Sequence, residues 1–230
     1  MNILAIDTSA VSVGAAIADE MGLVCQLELG AGRQASETLL PLLKSLLGLC
    51  KLALSDMDAL AVTIGPGSFT GLRIGLATAK ACAQALAKPL VAVSTLEALA
   101  YGAYEHGHLL CPILNARRGE LYAALFAEKE RLSEDMLTTP LKLVKLVENY
   151  SKPVIFCGDG LIEAGTQLAD LLGNRMLKTQ EQRQYFLAAA TALLGRDKYL
   201  AGELADPIML QPRYLRPSAA EENRQEALDA

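Results

Sequence analysis

The sequence predicts an α/β protein assembled from two copies of a strand-and-helix unit with a cleft between the copies. Three observations carry this expectation. The stretches 2–29 and 112–126 each open with an apolar strand that ends in a short polar residue and then turns back. Both halves go on to alternate strand-like and helix-like patterns. Of 230 residues, 52% are hydrophobic and 20% charged, which is too apolar for a disordered chain and enough to fill a core. A single continuous α/β domain is the competing organisation.

The elements follow in order. Ile3, Leu4, Ala5 and Ile6 run unbroken into Asp7, Thr8 and Ser9, as a buried strand does. Residues 11–18 alternate, 19–22 supply a turn, and 23–29 complete an antiparallel meander. Over 36–52, Leu39, Leu42, Leu43, Leu46, Leu47 and Cys50 recur three and four apart, giving a helix with Pro41 near its start. A strand over 58–65 runs into the glycine loop 65–71, and a helix over 71–87 stops before Pro89. Residues 90–93 read as a strand, 95–104 as a helix and 105–108 as a polar break. In the second half, 112–117 and 121–126 pair, a helix lies within 137–150, and the strand 154–157 leads into Gly158, Asp159 and Gly160. Helices follow over 161–172 and 185–201, and 218–230 reads as a loose, charged tail.

Composition excludes several classes. Lys and Arg number 21 against 26 Asp and Glu, a net charge of −5, which argues against autonomous binding to nucleic acid. No apolar run reaches the ~18 residues of a membrane span, since Asp7, Asp19 and Glu20 interrupt the first one, and the start lacks a signal-peptide pattern. A cytoplasmic protein is expected. The five cysteines, Cys25, Cys50, Cys82, Cys111 and Cys157, are widely spaced without a C-x-x-C pair and read as small buried hydrophobes.

The segment GPGSFTGLRIG at 65–75 lies between a strand and a helix, where backbone N–H groups converge and favour anions. It is not a P-loop, because Leu72 follows Gly71 where Lys is required. Thr70 stands where the dinucleotide fingerprint needs its third glycine, and Ser68 follows Gly67 directly, unlike a nucleophile elbow. Two readings remain open: a generic anion or nucleotide site involving Asp7, Thr8, Ser9, Gly65, Gly67, Ser68, Thr70 and Gly71, or a structural loop whose glycines allow tight packing. Asp7 could hold hydrated Mg²⁺ or simply cap its own turn, and Asn115 stands at its place in the second half. His106 and His108 have no cluster of metal-ligating partners, so no metal site is read, and no catalytic residue is assigned. Arg117 and Arg118 read as surface or partner contacts.

The helix 71–87 carries only Arg73 and Lys80 as charges. It is either sandwiched within the fold or one of a helix pair that docks a partner. The partner reading is preferred because the preceding helix is leucine-rich. It assigns Leu39, Leu43, Leu46, Arg73, Gly75, Ala79 and Cys82 to the interface, so Gly75→Arg or Leu43→Asp should break a complex while the chain stays folded.

Taken together, ILAIDTS at 3–9, GPGSFTGLRIG at 65–75, STL at 94–96, NARRGELY at 115–122 and YLR at 214–216 resemble the TsaB family, also called YeaZ. The resemblance spans residues 1–216, and the glycine stretch is its most specific part. It implies a two-lobed actin/hexokinase/Hsp70-like (ASKHA) fold of duplicated RNase-H-like units with mixed sheets. The lobes would be 1–103 and 104–216, the last helix packing back on the first lobe, with 217–230 a disordered tail. It implies a non-catalytic scaffold and activator in the assembly that forms N6-threonylcarbamoyladenosine next to the tRNA anticodon. The partners implied are TsaD, as a heterodimer through helices 36–52 and 71–87, and the ATPase TsaE, with a homodimer where TsaD is absent. tRNA would be reached only through the complex. No cofactor is firmly implied; weakly held ATP or ADP with Mg²⁺ is left open. The helix 36–52 lacks the metal-binding His pair of TsaD, and 34–37 lacks the His that many TsaB relatives carry near Ala35. The alternatives are an independent ATP-dependent transferase or kinase on the same fold, and a hydrolase using Ser68 or a metal at His106 and His108. The older glycoprotease (peptidase M22) label finds no support in these residues.

Overall fold

The first sheet grows outward from β1 (Asn2–Asp7), whose residues Ile3 to Asp7 are fully enclosed between layers. The computed structural model describes residues 1–30, 34–103, 106–128, 130–178 and 187–217. Tyr104, Glu105, Tyr185 and the expected tail 218–230 lie outside them. β2 (Val13–Asp19) and β3 (Leu23–Leu29) continue the sheet as an antiparallel meander. After α1 (Ala35–Cys50), β4 (Ala59–Gly65) returns parallel to β1; after α2 (Phe69–Leu86), β5 (Leu90–Ser94) lies parallel to β4. The strand order is β3-β2-β1-β4-β5.

Beyond α3 (Thr95–Gly102) the plan repeats. β6 (Leu109–Asn115) pairs antiparallel with β7 (Leu121–Ala123), and a short ribbon, β8 (Phe126–Ala127) and β9 (Glu130–Arg131), joins its other end. β10 (Met136–Thr138) pairs antiparallel with β7. α4 (Pro140–Val147) leads to β11 (Val154–Cys157), parallel to β6. α5 (Gly160–Leu172) leads to β12 (Met176–Lys178), parallel to β11. The order β10-β7-β6-β11-β12 matches the first sheet strand for strand, in position and direction. β1 corresponds to β6, so Asp7 and Asn115 both end the central strand of their sheet. The duplication expected from a few residues is therefore present in the topology.

Three apolar clusters fill the layers. One lies between α1–α2 and the outer face of the first sheet, one between the sheets around α3 and α6 (Leu187–Leu200), and one under α4–α5. α6 covers the inner face of the first sheet and packs on α3, which meets β6. Its sequence LAAATALLG suits that place: Leu187 to Ala192 and Gly195 are buried, leaving no broad polar face. At Gly195 a side chain would strike Ala61 of β4.

Several boundaries differ from the sequence reading for local reasons. α2 starts at Phe69, because Ser68 Oγ caps it by accepting from Gly71 N–H at 3.2 Å. β8, β9, β10 and β12 are too short to show a period.

The interface assignment needs correction. Leu39, Leu43 and Leu46 are buried against the first sheet within the chain itself, and so is Ala79. Gly75 is buried against Thr8, whose hydroxyl stands where a Cβ would go. Five of the seven residues thus hold α1 and α2 to their own sheet. Gly75→Arg and Leu43→Asp would disrupt folding instead of leaving the chain intact. Cys82 is half-buried and Arg73 is exposed. Among the cysteines, Cys111 and Cys157 are buried, and burial pushes the Cys157 thiol up to about 12; Cys25 and Cys50 are half-buried.

The segment after α6 ties the two halves together. Ala205 N–H donates to Leu90 O of β5, and Lys80 Nζ on α2 donates to the carbonyls of Ile208 and Leu210. Arg213 N–H donates to Ile64 O in the first half, while its guanidinium meets Glu134 at 2.9 Å and Asp135 at 3.1 Å in the second. Arg216 donates to Ala116 O and pairs with Glu120 at 2.8 Å.

Candidate functional site: the cleft between the sheets

The close approach of the glycine loop to the end of β1 shapes the site. Ser68 N–H donates to Ser9 O at 2.7 Å, and Thr8 Oγ1 donates to Gly71 O at 2.7 Å. Side chains at Gly67 and Gly71 would collide with the carbonyl oxygens of Ser9 and Thr8. These glycines therefore have a packing role that needs no ligand.

Asp7 lies beneath this contact, fully buried. Its Oδ1 accepts from Ser9 Oγ (2.6 Å), Thr63 Oγ1 (2.6 Å) and Ser9 N–H (3.2 Å), while Oδ2 has no hydrogen-bond partner among the described residues. Burial pushes its carboxyl above the usual range, against the lowering effect of those hydrogen bonds. Sequence reasoning missed its neighbour Glu28. Gly14 pairs with Asp7 on one side and Glu28 on the other, and the missing side chain lets Glu28 lean across β2. Glu28 accepts from Ser12 Oγ at 2.6 Å and from Gln26 Nε2 at 2.8 Å. Burial, and then the Asp7 charge, raise its carboxyl from 4.5 to about 7. The sequence signal was a Glu within the strand LVCQLEL, two residues after Gln26.

This shift has a measurable consequence. Between pH 4.5 and 7 the native state keeps a proton that the unfolded chain has released, so stability falls as pH rises through that window. The loss amounts to up to about 3 kcal/mol. Glu28→Gln should remove it, since an amide can donate to the Ser12 hydroxyl and accept from Gln26. Urea unfolding at pH 5 and pH 8 checks this; an equal pH dependence in both proteins would refute the assignment.

A cleft of about 690 Å³ opens between the sheets. Ser9, Gly67, Ser68 and Thr70 line one wall, and Asn115, Ala116, Arg117, Arg118 and Tyr122 line the other. Arg213, Tyr214 and Arg216 cross it. Of the remaining residues read as an anion site, Thr8 and Gly71 border a smaller cavity of about 310 Å³ beside α1, and Gly65 packs against Arg213 O. Phe69 stacks on Tyr214 with ring centroids 4.6 Å apart, and Arg73 lies over Phe69 at 4.0 Å and donates to Tyr214 Oη. Asp159, at the start of α5, accepts from Asn115 N–H at 2.9 Å, and burial raises its carboxyl. His106 and His108 sit in the surface turn before β6 and line neither cavity; His106 Nδ1 is 3.5 Å from Glu128.

A family model described as "TsaD: tRNA N6-adenosine threonylcarbamoyltransferase" matches residues 28–222. A Bacillus subtilis relative, tRNA threonylcarbamoyladenosine biosynthesis protein TsaB, is 33% identical over 225 residues and covers 96% of each chain. The chain belongs to the TsaB family. That family takes part in tRNA threonylcarbamoyladenosine biosynthesis. Among solved structures, a Pseudomonas aeruginosa protein described as similar to the peptidase YeaZ superposes with a TM-score of 0.79 at 27% identity, covering 94% of this chain and 99% of that one. The ROK hexokinase of Thermus thermophilus, at 11% identity and a TM-score of 0.53 over 86% of this chain and 100% of that one, shows the shared ASKHA architecture and nothing more specific. Among the described residues no helix is long and apolar enough to cross a membrane.

Proposed function

We propose that the chain is a non-catalytic subunit that docks on TsaD, supports formation of threonylcarbamoyladenosine by that partner, and works beside the ATPase TsaE. The observation that carries this is the outer face of α2. Ala77, Ala81 and Ala85 are exposed one turn apart, flanked by half-buried Ile74, Thr78 and Cys82. The two charged side chains of the helix are taken by the returning segment, Arg73 by Tyr214 and Lys80 by the carbonyls of Ile208 and Leu210. Leu40 on α1 is exposed as well. A row of small apolar side chains allows another helix to approach closely and loses little when desolvated. The same face would mediate a homodimer where TsaD is absent.

The test replaces exposed residues, which leave the core alone. Ala81→Arg should abolish co-elution with TsaD on a sizing column and depress modification of tRNA by the mixed proteins at least ~10-fold, with an unchanged melting temperature. Lys142→Glu on α4 should have no effect. Full co-elution of Ala81→Arg would refute the docking face, and ATP turnover by the purified chain alone would refute the non-catalytic assignment.

A further inference from the structure

We propose that Cys25 and Cys50 are a redox-sensitive pair that closes to a disulfide and clamps the edge strand β3 to the end of α1. This does not rest on docking to TsaD. Cys25 lies in β3, and Cys50 is the last residue of α1. Along β3, Cys25, Leu27 and Leu29 stand opposite Ile17, Ala15 and Val13 of β2, on the outer face of the first sheet. Those β2 residues belong to the apolar cluster beneath α1, and Cys25 and Cys50 both pack on it. The two thiols meet there. Burial, then the charge of Cys25 and a hydrogen bond with its sulfur, raise the Cys50 thiol above its ordinary range.

The course of the backbone agrees. Lys51 ends α1 with a left-handed φ of 55°, and Leu52 N–H donates to Leu47 O at 3.0 Å. Asp58 then accepts from Asn2 N–H at 2.7 Å, and Asn2 pairs with Asp19, just before the turn into β3. The chain leaving α1 thus returns to the end of the sheet where β3 begins. The other thiols are placed differently. Cys111 and Cys157 lie on the neighbouring strands β6 and β11, but Cys111 faces the cluster under α4–α5 and Cys157 the one between the sheets. Cys82, on α2, is raised by burial alone. Cys25 and Cys50 are half-buried, one on a sheet edge and one at a helix end. Both places allow the small backbone shift that disulfide geometry demands.

The oxidant is a small-molecule disulfide such as oxidised glutathione. One protein thiolate attacks it, breaking its S–S bond and expelling one small thiolate. The second protein thiolate attacks the mixed disulfide at the protein sulfur, forming the Cys25–Cys50 bond and expelling the other. The two thiol protons end on the two released thiols, and two electrons pass from the protein to the glutathione. Because the Cys50 thiol is raised, its thiolate is scarce at neutral pH and closure is slow. The pair therefore answers sustained oxidation, not a brief pulse.

The test incubates the dilute, reduced chain with excess oxidised glutathione and digests it with trypsin in the absence of reductant. The peptide 1–33, which holds Cys25, should be found joined to the peptide 45–51, which holds Cys50. The melting temperature should rise by ~5 °C, and dithiothreitol should reverse the rise. Amide exchange in β3 should slow ~10-fold. Cys25→Ala should lose these gains and leave a glutathione adduct on Cys50, whereas Cys82→Ala should close as wild type does. Three results with the wild-type chain would each overturn the proposal, whatever the variants do: glutathione adducts on both cysteines, disulfides between chains, or unmodified thiols at Cys25 and Cys50. A closed bond that leaves exchange in β3 unchanged would overturn the clamp.

Discussion

Gly71→Ala should destabilise the protein by about 3 kcal/mol, while the same change at Gly48 should stabilise it by about 0.5–1 kcal/mol. Both glycines lie in helices, where alanine is intrinsically the better residue by about 1 kcal/mol. At Gly48, on the exposed side of α1, nothing stands within 4 Å of the new methyl group, and only the intrinsic gain remains. At Gly71 the methyl would enter the carbonyl oxygen of Thr8, with Ser68 Oγ at 3.2 Å. Thr8 cannot withdraw without breaking its hydroxyl bond to Gly71 O and disturbing Asp7 and Ser9 beneath it. Urea denaturation of the two variants measures the difference in sign. A neutral Gly71→Ala would mean that β1 and α2 are not locked together as described.

Asp135→Asn should cost about 2–3 kcal/mol and release the segment that follows α6. Asp135 is buried, and its two oxygens accept from Ser94 Oγ, Arg131 Nη and Arg213 Nη at 3.1, 2.7 and 3.1 Å. Asparagine offers one acceptor and turns an N–H₂ toward a guanidinium, leaving two arginines short of a counter-charge. Removing one member of a buried pair typically costs 3–5 kcal/mol, but Arg213 is 40% exposed and solvent recovers part of the loss. Hydrogen exchange should accelerate at the Arg213 amide, now bonded to Ile64 O. Unchanged exchange there would show that the segment is held by its other contacts, among them the Phe69–Tyr214 stack and the hydrogen bonds of Lys80 and Arg216.

Strands showed in the sequence either as unbroken apolar runs, as in buried β1 and β11, or by the turn that sets them off, as in β3, whose residues are exposed or half-buried. β1, β3 and β11 begin and end where the sequence reading put them, and the duplicated plan follows from their surroundings. The leucines of α1 were misjudged because periodicity identifies a buried face without saying what buries it; Leu39, Leu43 and Leu46 cover the chain's own sheet. Ser9, Gly67, Ser68 and Thr70 could be placed at the cleft from their local pattern. Glu28 and Asp135 could not, because each acquires its environment from strands and segments distant in sequence. The glycine loop left packing and ligand binding open, and the atoms facing Gly67, Gly71 and Gly75 supply the packing role directly.

The placement of α6 has a consequence for biosynthesis. The inner face of the first sheet, with Ala5, Ala16, Ala18 and Ala61, is covered by a helix encoded more than 120 residues after β4. During vectorial synthesis the amino-terminal half therefore emerges from the ribosome with an uncovered apolar surface, and waits for nearly the whole polypeptide before it can be sealed. A nascent chain stalled before Leu187 is expected to recruit chaperones and to be protease-sensitive throughout residues 1–103.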